Sequence, residues 1–263
     1  MSTLAVIPAR IGSGRLPRKP LQLLAGRPMV LRVWERVQAF GIADEVVVAT
    51  DSAEIADALR ESNATVVMTR SDHPSGTDRV AEVAAMRRYE GATAVLNVQG
   101  DEPFVSRDAL QGALQQILEA GFPLGTVAAR ATPDILRTPD VVKVVAASDG
   151  RAMYFSRAAI PWLREPEDAP LRDAHVHQHI GVYAYAPEAL VRWVQLPQHP
   201  LEQIERLEQL RPLAAGIPMG VALMDELPAR GVDTPEDLHA ANELWHSMND
   251  SIAHSDRHTT GQS

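Results

Sequence analysis

The chain has 263 residues, of which 45% are hydrophobic, and a formal net charge of −9 at pH 7, which suits one large α/β domain or two small ones. The absence of cysteine excludes disulfides and thiolate metal sites and is compatible with a reducing, cytoplasmic location. The acidic balance argues against a nucleic-acid partner, and the longest apolar runs are too short to span a bilayer, so we expect no membrane partner either.

Strand-like and helix-like segments alternate through the first half of the chain. Short apolar or β-branched runs predict strands at residues 4–8, 46–50, 65–68 and 94–98. Helical spacing of apolar residues predicts helices at residues 28–40, 53–61, 77–89 and 106–120. Repeated βα units imply an α/β fold with a mainly parallel sheet and helices on both faces. In such sheets, ligands bind at the carboxyl ends of the strands.

The pattern changes in the second half of the chain. Strands without long intervening helices are predicted at residues 125–130, 141–146 and 176–185. They indicate an antiparallel extension of the sheet or a small subdomain. Helices at residues 187–194, 201–213 and 235–245 and a strand at 219–223 complete the pattern. We predict a single domain over residues 1–242, divided into halves 1–124 and 125–242, and a flexible polar tail at 246–263.

A cationic, glycine-containing loop follows the first predicted strand. Residues 6–20 read VIPARIGSGRLPRKP, and the first 34 residues hold six cations and no acid. Glycines allow a phosphate to approach the backbone closely, while Arg10, Arg15 and Lys19 supply positive charge. The loop has neither the Walker A nor the G-x-G-x-x-G spacing. The alternative is an ordinary βα loop with solvated arginines, and the pattern favours phosphate binding.

The pattern PAR–x–x–S–x–RLP–x–KPL in this loop resembles the signature of sugar nucleotidyltransferases. It is most similar to the cytidylyltransferases that activate 3-deoxy-manno-octulosonate (KDO), the CMP-KDO synthetases. Further matching blocks occur in family order as far as about residue 242, namely VVVATD at 46–51, MTRSDHPSGTDR at 68–79, NVQGDEP at 97–103, VKVV at 142–145, YFSRAAIPW at 154–162, PLEQIERLEQLR at 200–211 and GVDTPEDL at 231–238.

The resemblance implies a fold, a reaction and partners. The fold would be a Rossmann-like sheet of the nucleotide-diphospho-sugar transferase type, with residues 1–124 binding nucleotide and 125–242 serving sugar binding and dimerisation. The anomeric hydroxyl of KDO would attack the α-phosphate of CTP and expel pyrophosphate, with Mg²⁺ as cofactor, for lipopolysaccharide biosynthesis. The chain would act as a homodimer. Mg²⁺ would lower the pKa of the sugar hydroxyl, since no histidine base with a carboxylate partner is evident.

Two aspartates are candidate metal ligands. Asp101 follows a predicted strand, and Asp233 precedes the last predicted helix. Carboxylates and substrate phosphates are the ligands that Mg²⁺ prefers. Taken alone, Asp101 also suits a turn and Asp233 a helix cap. The resemblance favours metal ligation by both, with Lys19 as the third catalytic residue.

The resemblance also assigns substrate-binding residues. Those for the nucleotide are Arg10, Ser13, Arg15, Lys19, Ser75, Gly76 and Arg79. Those for the sugar acid are Gln99, Arg157, His179, Tyr183 and Glu208. An arginine suits a sugar acid because guanidinium matches a carboxylate bidentately. By composition alone, Glu208 would lie on the solvated side of the helix at 201–213.

Two further features have more than one interpretation. His175, His177 and His179 alternate, so on one strand they would share a face and could hold Zn²⁺ or Ni²⁺. In the alternative interpretation, only His179 matches the family pattern and the other two histidines are incidental. Lys143, one of two lysines, lies in a valine-rich run and is interpreted as structural or near a dimer-buried sugar site.

The chain departs from the family pattern at Gly14, Arg18 and Gln178, which leaves another sugar acid, such as 8-amino-KDO or sialic acid, as an alternative substrate. A methylerythritol cytidylyltransferase and a non-catalytic nucleotide-binding regulator are also compatible with the cationic loop. The blocks FSRAAIPW and LEQLR favour KDO, and retention of Asp101 and Asp233 argues against the regulator.

Overall fold

The computed structural model describes residues 2–12 and 15–259, with side chains as far as residue 248. A twisted mixed sheet with helices on both faces forms its centre. The strands are β1 (Thr3–Ala9), β2 (Leu23–Leu24), β3 (Arg27–Pro28), β4 (Glu45–Thr50), β5 (Thr65–Met68), β6 (Ala94–Asn97), β7 (Leu124–Arg130), β8 (Lys143–Ala146), β9 (Ala152–Ser156), β10 (His177–Tyr185) and β11 (Met219–Met224). The helices are α1 (Met29–Phe40), α2 (Ala53–Leu59), α3 (Gly76–Ala84), α4 (Arg107–Leu118), α5 (Ala169–Asp173), α6 (Pro187–Gln195), α7 (Pro200–Glu205), α8 (Leu210–Ala214) and α9 (Pro235–Thr259).

The strand order in the main sheet is β11-β7-β10-β6-β1-β4-β5. The run β6-β1-β4-β5 is parallel, as the βα units of the first half predict. β10 is antiparallel to both β6 and β7, while β11 is parallel to β7. The hairpin β8–β9 extends the sheet from β10. The expected fold class is therefore confirmed: a mainly parallel sheet with a small antiparallel extension.

The sheet separates two hydrophobic cores. Successive side chains of a strand point to opposite faces, and in β1 Leu4 and Val6 pack in one core while Ala5 and Ile7 pack in the other. All seven residues of β1 are buried, which explains its continuous apolar run. A third, smaller cluster lies where α9 meets the loop after β1. The core thus fixes the strand ends from which the site loops emerge.

Serines begin three of the helices in the first half. Ser52, Ser75 and Ser106 accept hydrogen bonds from the amides of residues three positions later, Ile55, Asp78 and Ala109. Such N-caps satisfy amides that the first helical turn leaves without a carbonyl partner. The caps at Ser52 and Ser106 agree with the predicted helix starts.

The structure differs from the sequence-based prediction in the second half. The helix predicted at residues 201–213 is divided into α7 and α8, because Arg206 adopts the left-handed backbone conformation with φ 56°. The sequence patterns do not predict β9 and α5. The last helix continues past the predicted end at residue 245, to Thr259. In the described part of the chain, no helix combines the length and apolar character needed to cross a bilayer.

Candidate active site

A cleft of about 490 Å³ opens at the carboxyl ends of β1 and β6. Its walls come from the loop after β1, the turn before α3, the turn after β6, the connection between α7 and α8, and the turn before α9. The site residues that line it are Arg10, Arg15, Lys19, Ser75, Gly76, Arg79, Gln99, Asp101, Glu208 and Asp233. The structure therefore brings ten of the predicted site residues together at the edge where parallel sheets bind ligands.

Lys19 joins the two aspartates on the cleft wall. Its Nζ lies 2.6 Å from Asp101 Oδ2 and 2.6 Å from Asp233 Oδ1. Burial, the largest single effect, lowers the pKa of Lys19, but the two carboxylates outweigh it and raise the pKa above its ordinary value. The lysine is therefore charged at neutral pH. Two carboxylates that converge on one positive charge form an oxygen-ligand pair of the kind that holds Mg²⁺.

The arginines of the same loop have different partners. An Nη of Arg15 lies 2.9 Å from Asp233 Oδ2, the oxygen that does not face Lys19. Arg18 has a left-handed backbone with φ 54° and pairs with Glu54, so its side chain joins the loop to α2. Arg10 lines the cleft and is exposed. Ser13 and Gly14 lie outside the described residues, and the predicted role of Ser13 stays a prediction.

Glu102 is a half-buried residue of the cleft turn that the sequence motifs did not indicate as functional. Burial, followed by the charges of Asp101 and Asp233, raises the pKa of Glu102 to about 8. The carboxyl is thus mostly protonated at neutral pH. A Cβ at position 231 would lie 2.5 Å from Glu102 Oε1, so Gly231 leaves the space that this side chain needs. The sequence feature that could have indicated Glu102 is its position directly after Asp101 in the GDEP turn.

The N-terminus of α3 faces the cleft through Ser75 and Gly76. The hydroxyl of Ser75 accepts from the Asp78 amide and donates to Asp78 Oδ2 at 2.6 Å. Arg79 is only 3% exposed. It lies 3.3 Å from Asp51 Oδ1 and also contacts the Thr69 hydroxyl. The ion pair holds the Arg79 guanidinium at the back of the cleft.

Glu208 occupies the connection between α7 and α8 and reaches the cleft. It is not on the solvated side of a helix, because the helix breaks at Arg206 and turns the side chain inward. Burial raises the pKa of Glu208 above its ordinary value. Its Oε2 is buried and has no hydrogen-bond partner among the described residues. An unpaired buried acceptor at a cleft wall suits a ligand hydroxyl.

Arg157 does not line the cleft. Its guanidinium donates to the carbonyls of Glu205, Pro139 and Asp140, and its amide donates to Glu205 Oε2 at 2.9 Å. Lys143, which is fully buried, donates from Nζ to the carbonyl of Arg157 at 2.6 Å. Both cations thus tie the β8–β9 hairpin to neighbouring backbone. The sugar role of Arg157 stays a prediction.

His179 and Tyr183, both on β10, belong to an aromatic cluster. The His179 ring is 4.9 Å from the Phe155 ring and 5.5 Å from the Tyr183 ring. Burial lowers the pKa of His179 to about 3, so the imidazole is neutral. Its Nε2 lies 2.9 Å from Thr126 Oγ1. Neither His179 nor Tyr183 is among the residues that line the cleft, and their roles in sugar binding stay predictions.

The three alternating histidines do not share a strand. β10 begins at His177, and His175 lies in the preceding turn with Nδ1 2.9 Å from the Leu171 carbonyl. Within residues 2–12 and 15–248, no group of three or more His, Cys, Asp and Glu side chains is arranged to hold a metal. The interpretation of these histidines as a Zn²⁺ or Ni²⁺ site therefore has no support in the described structure.

Comparisons with known proteins agree with this geometry. A family model described as cytidylyltransferase matches residues 4–220. A 3-deoxy-manno-octulosonate cytidylyltransferase from Gemmatimonas aurantiaca is 56% identical over 254 residues, covering 95% of this chain and 98% of that protein. One from Herminiimonas arsenicoxydans is 49% identical, covering 90% of this chain and 96% of the relative. The chain belongs to the 3-deoxy-manno-octulosonate cytidylyltransferase family.

Two solved structures have folds similar to that of this cytidylyltransferase. A CMP:2-keto-3-deoxy-manno-octonic acid synthetase complexed with CTP matches with TM-score 0.86 and 36% identity, covering 94% of this chain and all of that one. A 4-diphosphocytidyl-2C-methyl-D-erythritol synthase from Anaerococcus prevotii matches with TM-score 0.62 and 15% identity, covering 93% of this chain and 98% of that one. The second match shows a shared fold alone. The first, by contrast, is a synthetase of the family to which the chain belongs.

Proposed function

We propose that this cytidylyltransferase transfers CMP from CTP to the anomeric hydroxyl of KDO and releases pyrophosphate. The observation that carries the proposal is the convergence of Asp101 and Asp233 on Lys19 Nζ, at 2.6 Å each, in the cleft. The nucleotide is CTP in the solved relative that was determined as a complex. The sugar acid is named by the curated relatives.

The cations of the cleft would bind and orient the triphosphate. Arg10, Arg15 and Lys19 all line the cleft on one loop, and Ser75 and Gly76 at the start of α3 line the same space. Phosphoryl transfer depends mainly on positioning and on neutralising charge. Lys19 would leave its carboxylate partners partly to offset the charge that develops on the departing pyrophosphate.

Mg²⁺ fits the donor set of the cleft. Asp101 and Asp233 offer oxygen ligands around one cationic position, and substrate phosphates and water would complete the shell. When bound, the ion supplies a positive charge that lowers the pKa of the attacking hydroxyl and stabilises the transition state. Glu102, which is mostly protonated, adds little further negative charge to this pair.

The sugar acid would occupy the part of the cleft bounded by Gln99 and Glu208. Gln99 Nε2 donates to Asn97 Oδ1 at 3.0 Å, which fixes its amide at the cleft wall. The unpaired Oε2 of Glu208 would accept from a sugar hydroxyl. Arg157, His179 and Tyr183 would reach the sugar acid only if the β8–β9 hairpin and the aromatic cluster adjust on binding.

Pyrophosphate release with CTP, Mg²⁺ and a panel of sugar acids tests the proposal. We expect release with KDO and none when either Mg²⁺ or the sugar acid is omitted. Greater turnover with 8-amino-KDO or sialic acid would contradict the sugar assignment but not the reaction class. Binding of CTP without release with any acid would favour a nucleotide-binding regulator.

We also propose that the chain forms a homodimer and works in the cytoplasm. Large apolar side chains of the second half are exposed, namely Met153, Trp162, Leu171 and Ile204, at 63%, 80%, 66% and 76%. Exposed apolar side chains of this kind often mark protein interfaces. CTP is a cytoplasmic nucleotide, which supports the location. Sedimentation of the pure protein and fractionation of cells that express it test the two statements.

A further inference from the structure

A small hydrophobic cluster, separate from the two main cores, joins three segments of the cleft. Its buried members are Leu16, Leu24, Met29, Phe104, Val232 and Ala241, and Leu238 and Trp245 pack against them. Leu238, Ala241 and Trp245 belong to α9. We refer to these eight residues as the α9 cluster.

Each cleft segment inserts one residue into the α9 cluster. Leu16 lies between Arg15 and Lys19, so it anchors the cationic loop. Phe104 ends the turn that carries Asp101, and Val232 directly precedes Asp233. The Val232 amide also donates to the Asp101 carbonyl at 2.9 Å. The cluster is therefore a shared support for side chains that come from distant parts of the sequence.

Trp245 covers this cluster from α9. Its ring lies 5.9 Å from the Phe104 ring at an angle of 50°. The Arg32 guanidinium carbon lies 4.9 Å from the centre of the same ring, a cation–π geometry. Arg32 in turn donates to the carbonyls of Leu24 and Ala25, in the β2–β3 hairpin. Trp245 thus contacts Phe104, which ends the Asp101 turn, and Arg32 of α1, which in turn binds the β2–β3 hairpin.

Asn242, one turn before Trp245 on α9, makes a second attachment. Its Oδ1 accepts from the Ala25 amide at 2.8 Å, and its Nδ2 donates to the Leu23 carbonyl at 3.3 Å. Ala25 has a left-handed backbone with φ 48° that a non-glycine residue rarely adopts. The hydrogen bonds hold this turn against α9. Helix α9 therefore contacts the β2–β3 hairpin through Asn242 and packs on the cluster through Trp245.

We propose that Trp245 is a positioning residue for CMP transfer, acting through Phe104, Leu16 and Val232 on Asp101, Lys19 and Asp233. The three charged side chains meet only if their three segments keep a fixed separation, and the α9 cluster sets that separation. Small displacements at such a site reduce rates strongly, because the reaction depends on orientation. The inference rests on the proposed function, because its kinetic test measures CMP transfer. CTP binding measured by calorimetry is a second test that does not depend on turnover.

The test compares Trp245→Ala and Trp245→Phe with Leu244→Ala, a neighbouring α9 residue that is 37% exposed. We expect Trp245→Ala to reduce kcat/KM for CTP by about 10- to 100-fold, with the KM for the sugar acid changed less than about 2-fold. Calorimetry with CTP alone should show weaker binding. Trp245→Phe, which keeps a ring against Phe104 and Arg32, should restore most of the loss, and Leu244→Ala should match the unmodified chain.

A lower melting temperature of Trp245→Ala, with kinetic constants and CTP affinity equal to those of Leu244→Ala, would overturn the inference. If Trp245→Ala does not fold, Trp245→Leu keeps the apolar volume but loses both ring contacts, and the same reduction is expected of it. If the unmodified chain releases no pyrophosphate, the proposed function fails, while equal CTP affinities across the variants would separately overturn the positioning role.

Discussion

At the scale of single residues, Lys19 joins charges that the sequence separates by up to 214 positions. It bridges Asp101 and Asp233, and Arg15 pairs with the remaining oxygen of Asp233. In this arrangement the cations neutralise the two carboxylates. Binding of a triphosphate and a divalent ion would exchange these partners, because the phosphates attract the cations and the ion attracts the carboxylates.

Loss of either carboxylate should therefore reduce turnover with little loss of stability. We expect Asp101→Asn and Asp233→Asn each to lower kcat by at least about 100-fold, since a divalent ion contributes several kcal/mol to the transition state. Asp108→Asn, at the exposed start of α4, is the control with an unchanged rate. Steady-state pyrophosphate release measures the effect. Near-normal turnover of Asp101→Asn would contradict the metal assignment.

His179 should make stability depend on pH. Its pKa is about 3 in the folded chain, because burial disfavours the imidazolium, against an ordinary value of 6.5. Below pH 6.5 the unfolded chain therefore binds a proton that the folded chain does not, so stability rises with pH between about 3 and 6.5. We expect the free energy of unfolding to fall by about 2 kcal/mol from pH 7 to pH 5 on account of this group.

Urea unfolding of the unmodified chain and of His179→Gln at both pH values checks this dependence. The amide of glutamine does not titrate, so the variant should lose about 2 kcal/mol less than the unmodified chain on acidification. Equal losses in the two proteins would show that the imidazole is accessible to protons in the folded state.

At the scale of elements, the break between α7 and α8 places Glu208 at the cleft. A buried ion pair spans the break: Arg211 Nε donates to Glu202 Oε2 at 2.8 Å, and an Nη donates to Oε1 at 2.5 Å. Both side chains are at most 8% exposed. The bidentate pair keeps the two short helices in a fixed relation, and hence fixes the connection between them.

Removal of Arg211 alone should lower the stability of the fold more than removal of the charges of both Arg211 and Glu202. We expect Arg211→Met to destabilise the fold by about 3–5 kcal/mol, because Glu202 is left buried and unpaired. Addition of Glu202→Gln should restore a large part of that loss. Chemical denaturation measures both. A single variant as stable as the unmodified chain would indicate that water reaches Glu202 in the folded protein.

Lys143 is a second buried charged residue that holds backbone segments together, here around the β8–β9 hairpin. Its ammonium donates to the carbonyls of Thr138, Val141 and Arg157, at 3.1, 2.7 and 2.6 Å. Burial lowers its pKa, and the nearby Arg157 adds to that effect. We expect Lys143→Met to cost about 2–4 kcal/mol, since several buried carbonyls lose their donor.

The matched control is Arg151→Met, on the same hairpin, where the side chain is 55% exposed. Its stability should stay within about 0.5 kcal/mol of the unmodified chain, as is usual for surface changes. Thermal or urea unfolding distinguishes the two variants. Equal stability of both would show that the three carbonyls find other donors.

At the scale of the whole molecule, the sheet direction changes where the two halves meet. β10 is antiparallel to β6, and the cleft opens beside β6, between the cationic loop of the first half and the α7–α8 connection of the second. The nucleotide and the sugar acid would therefore approach from different halves. The β8–β9 hairpin lies on the second half, where exposed apolar side chains are also found.

If the chain dimerises through its second half, substitutions there should change the mass of the protein in solution, and substitutions in the first half should not. We expect Trp162→Ser to shift the chain toward the monomer in sedimentation experiments, because an exposed tryptophan is a typical interface anchor. Leu118→Ser, in α4 of the first half, is also at an exposed apolar position and should not change the mass. A monomeric unmodified chain would contradict the proposal.

Local patterns predicted most of the first half of the fold and the cationic loop of the cleft, and the family resemblance predicted most of the other site residues that line the cleft. The strand at residues 65–68 was predicted with the bounds that the structure has, and β1, β4 and β6 differ from their predicted bounds by one residue at one or both ends, whereas the short strands β2 and β3 were not predicted. Periodicity is a local property, so buried strands and amphipathic helices are visible in it. The break at Arg206 was not predicted, because it depends on how α7 and α8 pack around Glu202 and Arg211.

The sequence by itself determined the α/β class, the cationic character of the loop after β1 and, through resemblance, the family. Each depends on residue types at short, fixed spacings. Only the tertiary structure decided which charges meet, because Lys19, Asp101 and Asp233 become neighbours through three strand ends and the α9 cluster. The full burial of Lys143, and the directions in which desolvation moves the pKa of Glu102, Lys143 and His179, follow from packing between distant segments, which no local pattern records.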